Sequence, residues 1–208
     1  MFYEDIHDED RVGEKFPMPV GQCEFSEDEE EDDNRKQVDD KIPNTCFTKY
    51  PVHFCFENKN SCAFGNMANA AYELKDKITG TFFYVNRHKD PNEMRNKFTK
   101  IDQDYNINEF HIAREILRQR FKYKVKRIKG DNLIEIAKEY ENEVLYVMLE
   151  ISGRPIAHAI CISNNRIVDG TFSHKLKCNR ESLHWLCDKT SYTFLVYLIK
   201  AKAKLKET

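Results

Sequence analysis

Two short stretches of this chain carry residue types that make and break covalent bonds. The first is Asn58-Lys59-Asn60-Ser61-Cys62-Ala63-Phe64-Gly65-Asn66. Asn60 and Ser61 are N-cap types, and Phe64, Met67, Ala68, Ala71 and Tyr72 follow at three- and four-residue spacings. The pattern places Cys62 in the first turn of an amphipathic helix. Unpaired backbone N–H groups and the positive end of the helix dipole favour thiolate there, which is how a thiol becomes a nucleophile near neutral pH. The same N–H groups can hold the oxyanion of a tetrahedral intermediate, with Asn58 or Asn60 as further donors. The second stretch is Ala157-His158-Ala159-Ile160-Cys161-Ile162-Ser163-Asn164-Asn165-Arg166-Ile167-Val168-Asp169. Asn164-Asn165 is a two-residue turn signal between strands, so His158 and Asp169 fall at the same end of a hairpin as cross-strand neighbours. A carboxylate on one ring nitrogen fixes the tautomer and leaves the other nitrogen for a thiol proton. The expected roles are Cys62 as nucleophile, His158 as general base and then acid, and Asp169 as the orienting carboxylate.

Two other groupings bear on chemistry. His174, Cys178, His184 and Cys187 are zinc-ligand types in one short stretch, with Cys161 as a further candidate. Their spacing lacks a C-x-x-C pair, and Leu183 and Trp185 between them have the character of core residues, so a helix with incidental Cys and His is favoured and no metal is expected. Arg114, Arg118, Arg120, Lys122, Lys124, Lys126 and Arg127 form a basic helical stretch interleaved with Phe121 and Tyr123. Such a face can track phosphates and stack bases; a merely solvated face is the simpler alternative.

These residues need elements to carry them. The helix from Cys62 is expected to stop before Gly80, and Thr81–Val85 is β-prone. Residues 86–104 are polar and contain Asp90-Pro91, which predicts a long loop or insertion. A second amphipathic helix opens at Asn106 or Asn108 and runs through Phe121, and a third spans Asn132 to Tyr140. Strands are predicted over 144–149, 156–162, 166–169 and 192–199, with a short helical turn at 181–187 and a basic tail from Lys200. Helices first and an antiparallel sheet afterwards make an α+β domain.

Composition divides the chain. It has 208 residues, 40% hydrophobic and 33% charged, enough apolar material for one core. The net charge of −2 averages two unlike parts. Residues 1–40 hold 16 Asp/Glu against 4 Lys/Arg, a balance of −12, and residues 41–208 hold 19 against 29, a balance of +10. The first part, with the unbroken acidic run 27–33, predicts a mobile arm, and the second an ordered domain starting near Pro43–Pro51. The arm could lie against the basic surface of the domain. The start has neither a basic n-region nor an apolar h-region, no apolar run reaches membrane-spanning length, and the seven cysteines are odd in number. An intracellular chain, cytoplasmic or nuclear, with reduced thiols is the expectation.

Asn60-Ser61-Cys62-Ala63-Phe64 at a helix start, followed far downstream by His158 on a hairpin and then Asp169, resembles the papain-like cysteine peptidase superfamily in its broad sense, over roughly residues 50–200. The resemblance implies a helical part that supplies the nucleophile and an antiparallel sheet that supplies His and Asp. It implies a thiol hydrolase acting on a peptide or isopeptide bond of a protein or peptide substrate, without a cofactor. The chain departs from the pattern at the oxyanion hole. Papain-type enzymes have Gln six residues before the nucleophile, where this chain has Phe56; the OTU type has Asp-Gly before it, where this chain has Lys59-Asn60-Ser61. Transglutaminase-like acyl transfer is chemically adjacent. The alternative of another class is an inactive papain-like or basic module that binds nucleic acid or an acidic protein.

Overall fold

The computed structural model of the chain describes residues 42–56, 62–101, 107–154 and 157–201. The expected acidic arm, the tail beyond Ala201, the N-cap positions Asn60 and Ser61, and the candidate donor Asn58 lie outside the described residues. What is described is a mixed α+β body with one seven-stranded antiparallel sheet. The strands are β1 (Phe47–Pro51), β2 (Lys124–Ile128), β3 (Val144–Ile151), β4 (His158–Ser163), β5 (Arg166–Val168), β6 (His174–Lys177) and β7 (Tyr192–Lys200), in the spatial order β1-β6-β5-β4-β3-β7-β2. The helices are α1 (Cys62–Glu73), α2 (Lys77–Val85), α3 (Pro91–Phe98), α4 (Glu109–Gln119), α5 (Leu133–Glu139) and α6 (Arg180–Leu186), with a 3-10 turn at Asn44–Cys46. No described helix is long and apolar enough to cross a membrane.

The sheet separates two cores because side chains alternate along each strand. Val144, Tyr146 and Met148 of β3, Ala159 and Cys161 of β4, and Tyr197 and Ile199 of β7 pack with α1–α4. Leu145, Val147, Leu149 and Ile151, Ile160 and Ile162, and Val196 and Leu198 pack with α5 and α6. Helices cover both faces, so the central strands read as continuous apolar runs. At the hairpin, Asn164 and Asn165 both have positive φ, 51° and 54°, which a I′ turn requires and asparagine tolerates.

Several elements differ from the sequence expectation. The β-prone 81–85 belongs to α2. Asp76 caps that helix by accepting from the Thr79 N–H at 3.1 Å, and Tyr123 donates to the same carboxylate at 2.8 Å. Phe82 and Phe83 pack edge-on or tilted against Phe64, Phe98 and Phe121, so aromatic packing overrides local β-propensity. The helix from Cys62 ends at Glu73, before Gly80 as expected; Gly80 itself lies inside α2, where a Cβ would press on the Ala68 carbonyl and the Phe54 ring, at 3.1 and 3.2 Å. The predicted loop 86–104 contains α3. Asp90 is its N-cap, accepting from the Glu93 N–H at 2.9 Å, and Pro91 begins the helix, where its missing N–H costs nothing. The basic run is no single helix: α4 ends at Gln119, Lys122 has a positive φ of 60°, and Lys124, Lys126 and Arg127 lie on the edge strand β2. Strands β1 and β6 were not expected.

Docking of α1 on the hairpin depends on two glycines. A Cβ at Gly65 or at Gly170 would overlap the same Phe56 ring, and one at Gly170 would also strike the Phe54 carbonyl. The ring is held between the two glycines and cannot swing away from either. Gly65→Ala is therefore expected to destabilise the protein by about 1–3 kcal/mol despite its better helix propensity. In a Phe56→Leu background the same substitution should become neutral or stabilising. Denaturant midpoints of the four-member mutant cycle measure this, and additive effects would contradict it.

Candidate active site

Cys62 is the first residue of α1 and is 6% exposed. Its position is fixed from below by the central strand. Tyr146, fully buried on β3, donates its hydroxyl to the Ala63 carbonyl at 2.7 Å, and its ring stacks on Phe110 of α4 at 4.2 Å and 8°. Burial, and then the neighbouring Cys62, push the Tyr146 hydroxyl well above its ordinary value, so it stays protonated and remains a donor. The Ala159 N–H points at Cys62 Sγ from 3.5 Å.

His158 opens β4, where it pairs with Leu149 of β3, and Asp169 follows the last residue of β5. The β4–β5 ladder stops at Cys161 and Val168, so His158 and Asp169 are not the cross-strand ladder pair the sequence suggested and meet through their side chains. Strict alternation would put His158 on the face of Ile160 and Ile162, away from α1. At the strand end its side chain instead meets Asp169 and Cys62. His158 Nε2 is 2.6 Å from Asp169 Oδ2, and Cys62 lies close enough to the ring to act on its protonation. A carboxylate only accepts, so Nε2 carries the hydrogen and Nδ1 is left for the thiol. Burial lowers the His158 value, but the charge of Asp169, its hydrogen bond and that of Cys62 outweigh burial and bring it to about 10. Asp169 moves the other way. Burial pushes its carboxyl up, while His158, the Thr171 N–H and Asn66 together hold it below its ordinary value. The charged pair is thus favoured in the folded protein.

Two residues of this site carried no signal that sequence reasoning used. Asn66 and Asn69 lie four and seven positions after Cys62 on an otherwise apolar helix, both fully buried. Asn66 donates to the Ala159 carbonyl at 2.7 Å and to Asp169 Oδ1 at 3.2 Å, and accepts from the Gly170 N–H at 2.9 Å and from Asn69 at 3.3 Å. Asn69 exchanges two hydrogen bonds with the backbone of Phe54, both 2.9 Å. The i, i+4, i+7 spacing of Cys62, Asn66 and Asn69 was the available clue, since it puts all three on one helix face.

The other sequence candidates do not assemble. His174 and His184 are exposed while Cys178 and Cys187 are buried, and no group of three His, Cys, Asp or Glu among the described residues could hold a metal ion. Burial pushes Cys178 and Cys187 up to about 11 and Cys161 well above its ordinary value, so these remain thiols. In the basic stretch, Arg114 and Arg118 are paired with the buried Glu115, and Arg120 lies over the rings of Phe82, Phe98 and Phe121. No family model matches the chain, and no curated protein matches it.

The raised His158 value has a consequence for stability. A histidine whose folded value exceeds its ordinary 6.5 adds stability that is complete below 6.5 and is lost as pH rises through about 10. Unfolding midpoints of the wild type should therefore fall across that window. Asp169→Asn should be less stable at pH 6 and show a shallower fall. Parallel curves for the two proteins would show that the pair does not titrate in this way.

Proposed function

We propose that this chain is a thiol hydrolase of papain-like architecture that cleaves a peptide or isopeptide bond of a protein or peptide substrate. The observation that carries the proposal is the 2.6 Å pair of His158 and Asp169 beside Cys62, which begins a helix and receives the N–H of the residue after His158 at 3.5 Å. The imidazolium of His158 stabilises the Cys62 thiolate, and Asp169 stabilises the imidazolium. Thiolate sulfur attacks the substrate carbonyl carbon, and the carbonyl oxygen becomes an oxyanion that the Cys62 backbone N–H would receive. His158 gives its proton to the departing amine nitrogen as the C–N bond breaks, leaving an acyl thioester. A water molecule then loses a proton to His158 and attacks the thioester, which returns the carboxylic acid and the free thiolate. Transfer to an amine in place of water would give the transglutaminase-like outcome by the same first half.

The basic binding module has less support, because two of its arginines share the single negative charge of Glu115 and a third is stacked on aromatic rings.

An activated ester tests the acylation half without knowledge of the natural substrate. With p-nitrophenyl acetate the wild type should release a stoichiometric burst of p-nitrophenolate, and the acetyl group should map to Cys62. Cys62→Ala should lose the burst, and His158→Ala should slow it by about 10²–10⁴-fold. A burst that survives Cys62→Ala, or that is unchanged in His158→Ala, would contradict this function.

A further inference from the structure

Asn66 reaches every part of the site at once. Its side chain has two N–H donors and an oxygen with two lone pairs, and all four are engaged. One donor goes to the carbonyl of Ala159, the residue after His158. The other goes to Asp169 Oδ1, the oxygen that does not face His158. The oxygen receives the N–H of Gly170, the residue after Asp169, and the amide of Asn69. Asn66 thus ties the helix that begins with Cys62 to the strand that carries His158 and to the chain that carries Asp169. Asn69 extends the tie to Phe54. Because Phe56 in the same segment donates its N–H to the Gly170 carbonyl at 2.7 Å, the described segment that precedes Cys62 in the chain is fastened to the same point.

The carboxylate of Asp169 has a torsional choice that the rest of the hairpin leaves open. With β5 ended at Val168, no ladder bond at Asp169 fixes which way its side chain turns. Two groups hold Oδ1, the Thr171 N–H at 3.1 Å and Asn66 at 3.2 Å, and Oδ2 is then directed at His158. Thr171 belongs to the same loop and moves with Asp169; Asn66 belongs to the nucleophile helix.

We propose that Asn66 is a positioning residue of the thiol site: by holding Asp169 Oδ1 from the helix that carries Cys62, it keeps Oδ2 on His158 and His158 on Cys62. This rests on the reading of Cys62 as nucleophile. Asn66 touches no substrate in this scheme and acts through Asp169. Among the described residues, Tyr146 on the sheet interacts with Cys62, and Cys161 on the sheet and Glu109 at the start of α4 interact with Tyr146. Burial keeps the first two protonated and raises the carboxyl of the third, so none replaces Asp169 as the counter-charge of His158.

The test is the pH dependence of Cys62 alkylation by iodoacetamide in the full chain, with modification at Cys62 quantified by peptide mapping and the unfolding midpoint of each variant measured alongside. The wild type should label rapidly at pH 6, on an acidic plateau. Asn66→Ala should move the pH profile away from that of the wild type, with a rate about tenfold lower at pH 6. Asp169→Asn should move it in the same direction, and Asn66→Ala should add little in the Asp169→Asn background, because a residue that acts through another has nothing left to act on. Asn66→Ser, which keeps a hydroxyl in the network, supplies the same comparison should Asn66→Ala fail to fold. If the Asn66 variants are less stable but label with the wild-type pH profile, Asn66 is merely structural and this inference is wrong while the nucleophile stands. If wild-type Cys62 itself labels no faster than an ordinary thiol at pH 6, both fall.

Discussion

Asp169 holds a charge where water does not reach it, since its side chain has no exposed surface. An isolated carboxylate so placed would cost several kcal/mol or take up a proton. Here each oxygen is met. Oδ2 has the His158 ring, and Oδ1 has the Thr171 N–H and the amide of Asn66. The compensation comes from three separate parts of the chain, so it exists only when helix α1, strand β4 and the loop after β5 are all in place. A single buried charge in this way couples the formation of the helical layer to the formation of the hairpin.

Close approach makes that coupling possible. Asparagine is a short side chain, and it can bond two backbone groups and a carboxylate together only if its helix lies almost against the strand ends. Gly65 on the helix and Gly170 after the hairpin remove the side chains that would hold the layers apart, and the Phe56 ring fills the space between them. Tyr146 does the complementary task from the sheet. Its hydroxyl reaches the first turn of α1 and pins the residue next to Cys62. Polar bonds therefore set the orientation of the layers, while the apolar contacts of Phe64, Met67 and Ala68 with the sheet face supply most of the burial.

Legibility in the sequence followed how local the deciding physics was. The hairpin could be read because Asn164-Asn165 demands a tight turn whatever surrounds it, α4 because its apolar periodicity is helical, and β3 because it is a short, continuous, β-branched and apolar run. The stretch 81–85 could not, since Phe82 and Phe83 suit a strand equally well until Phe98 and Phe121 are known to be beside them. Asp90-Pro91 was ambiguous between a break and a helix start, and the capping bond to Glu93 resolves it. Of the candidate site, Cys62, His158 and Asp169 were visible because their residue types are scarce and their order is informative. Asn66 and Asn69 were not, because an asparagine on a helix is usually a solvated residue, and only tertiary structure reveals that these two face the hairpin.

The network is also informative for what it does to stability. Replacing a buried polar or ionic cluster by apolar residues of similar volume is often neutral or stabilising by about 1–4 kcal/mol. A contact whose sole task was to dock α1 on the hairpin would be served as well by leucine and valine as by Asn66, His158 and Asp169. The cluster spends docking energy on orienting one imidazole toward one thiol at a helix start. That arrangement contributes little to docking that packing could not, and it is the kind of arrangement the proposed nucleophilic attack requires: an imidazole held by a carboxylate beside a thiol at a helix start.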